Sequence, residues 1–106
     1  MQLLNSPRKE RLLLKDAHRW IDTSLESFEY NRELAKAFMI GGEQQKMMFI
    51  LSNSKSMVDD NLDNLDAGKT HPAMIELPFI REEADKLTKD ILIRTVSVLC
   101  NMNGFT

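Results

Sequence analysis

Apolar residues along this chain recur three and four apart in three long segments. In the first, Leu14, Ala17, Ile21, Ser24, Phe28, Asn31, Ala35 and Phe38 form one row, the spacing that lines a single face of an α-helix. Ser6 can cap that helix and Pro7 suits its first position, where a missing N–H costs nothing. No glycine or proline interrupts the segment before Gly41-Gly42. One helix over about 7–40 follows, with a break near Thr23 as the alternative. There Thr23-Ser24-Leu25-Glu26 matches a capping box.

The second row runs through Met47, Ile50/Leu51, Ser54, Met57/Val58, Asn61/Leu62 and Leu65, with Gly68 placed as a C-terminal stop. The third runs through Ile80, Ala84, Leu87, Ile91, Arg94/Thr95, Val98 and Met102. Its centre, DILIRTVSVL, is β-branched, but no second strand exists to pair with it and the preceding REEADKLTKD has helical spacing. The pattern predicts an all-α antiparallel bundle of three long helices, about 7–40, 43–66 and 78–102. The connection has room for a short extra helix near 72–77, and residues 1–106 make a single domain.

A reversal at Gly41-Gly42 would set residue i across from roughly residue 83 − i. Arg19 would then face Asp63 and Asn64. The first helix would overhang the second by ~15 Å at 1.5 Å per residue. Leu12, Leu13 and Leu14 sit on that overhang and point in three directions, so they are the expected self-association surface. Phe38, Met39, Met48 and Phe49 flank the glycines, and Met102 and Phe105 would arrive at the same end. Methionine suits adaptable binding surfaces, so these six form the expected partner-binding end.

Charge adds an asymmetry. The net charge is only −2, but Arg8, Lys9, Arg11, Lys15 and Arg19 cluster early, while Asp59, Asp60, Asp63 and Asp66 crowd the end of the second helix. Each cluster opposes its own helix dipole and complements the other. The basic cluster is also the candidate phosphate-binding surface of an alternative reading.

The catalytic motifs do not hold. Gly68-Lys69-Thr70 lacks the earlier glycine of a phosphate loop, since Asp63 stands there. Asp59, Asn61 and Asp63 resemble a calcium loop, but Asn64 replaces its glycine and Thr70 its bidentate glutamate. His18 resembles the histidine of phosphotransfer bundles, except that Trp20-Ile21 follow where clearance is needed. Cys100 is the single cysteine and is predicted far from both histidines, so a nucleophile–base pair is not expected. With neither a secretory leader nor a ~20-residue apolar run, the sequence suggests a cytoplasmic chain.

The expected function is therefore that of a small non-enzymatic adaptor, inhibitor or regulator. It would need no metal or cofactor, would bind another protein and would self-associate as a homo-oligomer such as a dimer. The alternative is a homo-oligomeric phosphate-group binder taking a nucleotide or nucleic acid.

Overall fold

The computed structural model describes residues 7–65 and 76–102. It is an all-α bundle of three long helices and one short one: α1 (Pro7–Tyr30), α2 (Arg32–Ala37), α3 (Gly41–Leu65) and α4 (Leu77–Met102). The predicted extra helix near 72–77 falls mostly outside the described residues. The core is the row the spacing marked, with Leu77 added: Leu14, Ala17, Ile21 and Phe28 of α1 meet Leu51, Val58 and Leu65 of α3 and Leu77 and Ala84 of α4. Full burial of each large aliphatic side chain contributes ~1.5–3 kcal/mol. A second cluster of Ala35, Ile40 and Ile91 closes the turn end, with Phe38 and Leu87 against it.

The first predicted helix is broken at Asn31, not at Thr23. Thr23 stays helical and its hydroxyl donates to the Arg19 carbonyl at 3.0 Å. The cause of the break lies on α3. The Gln44 side chain, only 2% exposed, donates from Nε2 to the Phe28 carbonyl at 2.8 Å. A continuous helix would give that acceptor to the Arg32 N–H, and a side chain inserted into the ladder bends a helix.

The chain then reverses at Phe38-Met39-Ile40, ahead of the glycines. The Met39 N–H donates to the Lys36 carbonyl and the Ile40 N–H to the Ala35 carbonyl, the paired bonds of a Schellman motif. Its left-handed position, normally glycine, is Met39 at φ 63°. The accompanying hydrophobic contact is Ile40 with Ala35. Gly41 and Gly42 instead begin α3.

Moving the reversal forward resets the register. His18 Nε2 lies 3.5 Å from Asp59 and Lys55 Nζ lies 2.6 Å from Asp22, so residue i faces 77 − i. The predicted Arg19–Asp63 pairing is corrected: Arg19 pairs with Asp16 one turn away, at 2.6 Å. Opposite charges do bridge α1 and α3, but through other residues.

Helix α4 runs parallel to α1. Arg81 reaches Asp16 at 3.7 Å and lies 5.5 Å from the centre of the Trp20 ring. The bundle is 59 × 24 × 16 Å, and its helices are staggered. Helix α1 overhangs at one end, and α4 overhangs at the other beyond Ile91, its last residue packed against the turn.

Candidate functional site

The turn end carries the larger opening. A cleft of about 540 Å³ lies between α2 and α3, lined by Arg32, Lys36, Met39, Gly41, Gly42, Gln44, Gln45 and Met48. The Schellman turn throws Met39 out over its mouth with 90% of the residue exposed. Met48 forms its apolar wall while packing on the core behind. Phe49 lies seven residues from Gly42, hence on the same flank of α3, and it is 68% exposed.

Two cations flank this cleft. Arg32 pairs with Glu29 at 2.9 Å and Lys36 with Glu33 at 3.6 Å; both pairs are solvent-exposed i,i+3 contacts, which screen easily and hold weakly. Either cation can turn to an incoming carboxylate at small cost. Among the buried side-chain atoms described, Gln44 Oε1 is left unpaired. It is sealed from solvent, so it belongs to the helix break behind the cleft and not to its mouth.

The expected partner-binding residues are thus divided. Met39 and Met48 line the same cleft, and Phe49 is exposed beside it on α3 without lining it. Phe38 is half-buried and packs against Ala35, Ile40 and Ile91, away from the cleft lining. Met102 ends α4, and Phe105 lies outside the described residues.

The expected self-association residues divide as well. Leu14 is fully buried in the core and is unavailable as a surface, because it begins the inward row of α1. Leu13 lines a smaller cleft with Ala17, Trp20, Leu77 and Pro78, flanked by Asp16 and Arg81. Leu12 and Leu13 both stay exposed, at 64% and 55%. The candidate phosphate-binding residues Arg8, Lys9, Arg11, Lys15 and Arg19 all fall on α1. Arg19 is engaged by Asp16, which Arg81 also approaches, so negative charge already sits within this surface.

Between these ends lies one ion pair with perturbed titration. The Lys55 ammonium, hydrogen-bonded to Asp22, holds the Asp22 carboxyl below its ordinary value. The same contact raises Lys55 above its own. Both are structural bridges between α1 and α3. Among the described residues no group of three His, Cys, Asp or Glu side chains converges, and Cys100 is an exposed free thiol. No helix among the described residues is long and apolar enough to cross a membrane.

Sequence reasoning missed Gln44 and Ile40. Gln44 falls on the same face as Leu51, Val58 and Leu65, at steps of seven, but it is polar, and its partner carbonyl sixteen residues earlier explains its burial. Comparison with known proteins adds no family: no family model, curated protein or solved structure matches the chain.

Proposed function

We propose that this chain is a binding protein without catalytic activity, and that it docks on another protein through the turn end of its bundle. The supporting observation is Met39. A long apolar side chain is held almost fully exposed, in a backbone conformation that costs an L-residue about 1–2 kcal/mol, beside an open cleft. Folding alone would favour glycine there. Strain retained at an exposed position points toward recognition.

The chemistry of the cleft suggests its occupant. Met39 and Met48 offer adaptable apolar walls, Phe49 adds an aromatic anchor, and Arg32 and Lys36 stand at the flank. A partner segment with one apolar side chain beside carboxylates would satisfy all of these.

The test compares full-length wild type with Met39→Gly, Phe49→Ser and, at the opposite end, Leu12→Ser. Each is immobilised and offered native-host extract, and captured proteins are quantified by mass spectrometry. The proposal expects a specific protein to be lost with both turn-end variants and kept by Leu12→Ser, with unfolding midpoints showing all three folded. A captured set indifferent to Met39→Gly and Phe49→Ser would refute it.

A further inference from the structure

The outward row of α4 changes character at one level. Asp85 and Lys89 are followed in that row by Leu92, Val96 and Leu99, spaced three and four apart, with Ile93 alongside. Leu92 is 61% and Ile93 62% exposed; Val96, Val98 and Leu99 are exposed as well. The change falls where the rest of the bundle stops, since Ile91 packs on Ile40 and Ala35 and the opening turn of α3 flanks Leu87 and Asp90 through Glu43 and Met47. A helix end meant for water would be polar outside. This one turns apolar where its own neighbours cease.

Residues 66–75 and 1–6 are too short to reach it from their anchors. Residues 66–75 are tethered at Leu65 and Glu76, so their midpoint reaches at most ~18 Å from either anchor. Leu92 lies ~24 Å along α4 from Glu76. Residues 1–6 extend at most ~20 Å from Pro7. Because Asp16 meets Arg81, Pro7 stands ~30 Å from the level of Leu92. Residues 103–106 offer at most ~14 Å of chain, short of Leu92, which lies ~15 Å back along α4 from Met102, so they do not span the whole row.

We propose that residues 92–100 of α4 pair antiparallel with the same residues of a second copy of this chain, about a two-fold axis at Val96. That axis sets Leu92 of one copy opposite Cys100 of the other and Ile93 opposite Leu99, so the row complements itself. Charge favours a second copy over a charged partner. Residues 95–106 carry no charged side chain in a chain that is 28% charged, and Arg94 is bound to Asp90 at 2.9 Å. Two copies meet without like-charge contact, their helix dipoles opposed. The surface is separate from the α2/α3 cleft, so it stands or falls apart from partner docking there. Its size puts it at the low end of specific interfaces, under about 1,200 Å² in total, so dimer formation depends on concentration, in the ~micromolar range.

Sedimentation of the full chain from 1 to 200 μM (about two decades around that range) tests the pairing. A mass rising from monomer to dimer is expected. Val96→Glu, at an exposed site, should keep the helix content and unfolding midpoint while weakening the dimer more than about 100-fold. In a Cys100→Ser background, Val96→Cys should oxidise to a disulfide-linked dimer, whereas Lys89→Cys should not, because the two copies of position 89 lie ~21 Å apart along the axis. A monomer throughout, a dimer indifferent to Val96→Glu, or equal cross-linking at positions 89 and 96 would each overturn the proposal. A monomer that needs Val96 only to capture a different protein would overturn it too.

Discussion

Replacing Met39 with glycine should make this protein more stable. Met39 occupies the left-handed position of the Schellman turn, at φ 63°, where a Cβ crowds the following carbonyl at a cost of about 1–2 kcal/mol. Glycine removes that cost. It also gives the unfolded chain more freedom, which takes back ~0.5–1 kcal/mol. Little burial is lost, since the residue is 90% exposed. The net expectation is a gain of roughly 0.5–1 kcal/mol, read as a higher urea midpoint at unchanged slope and a melting point raised by roughly 2–6 °C. Met39→Val, β-branched and less tolerant of positive φ, should lose roughly 1 kcal/mol. The reasoning fails if glycine destabilises, or if glycine and valine behave alike. Combined with loss of partner capture, a more stable Met39→Gly would show activity and stability pulling apart at one residue.

Other outcomes follow from the same structure. Gly42→Ala should stabilise by ~0.5–1 kcal/mol in thermal unfolding, because Gly42 is helical and an added Cβ meets nothing within 4 Å; a glycine forming the turn would give the opposite sign. Gln44→Ala should cost about 2–3 kcal/mol in urea unfolding, because it leaves the buried Phe28 carbonyl without its side-chain donor. The Asp22–Lys55 pair makes stability depend on pH at both extremes. Asp22 is lowered from 3.8, so its contribution is full above that value and is lost as pH falls through the lowered one. Lys55 is raised from 10.5, so its contribution is full below that value and is lost as pH rises through the raised one. Asp22→Asn should therefore flatten the acid fall in stability, and Lys55→Met the alkaline fall, in unfolding curves recorded across pH.

Helical spacing made most of the core legible. Leu14, Ala17, Ile21, Phe28, Leu51, Val58, Ala84 and Ile91 each lie on a predicted row and each is buried, because a one-sided neighbour imprints one-sided apolarity. The turn was less legible. Gly41-Gly42 carries a familiar stop signal, while a methionine in the left-handed region has no local signature; Ala35 and Ile40 decide it by packing on Ile91. The break at Asn31 was hidden for a similar reason, since it depends on a glutamine from another helix. Of the candidate site, Met39, Met48 and Phe49 stood out because adjacent apolar residues on a helix cannot all face one row. Beyond Ile91 the row continues through Val98, yet nothing described covers it. Periodicity records which face is apolar and not what lies against it.

The surfaces assigned here all depend on the chain reversing at Met39, with residue i facing 77 − i. Spin labels test this in a Cys100→Ser background, pairing position 23 with position 53 or with position 60. Positions 53 and 60 share one face of α3, seven residues apart, so only displacement along the axis distinguishes them. The structure places Thr23 within ~2 Å of the level of Asn53 and ~9 Å from that of Asp60. The 23–53 distance should therefore be the shorter; a shorter 23–60 distance would put the reversal at the glycines and contradict the account.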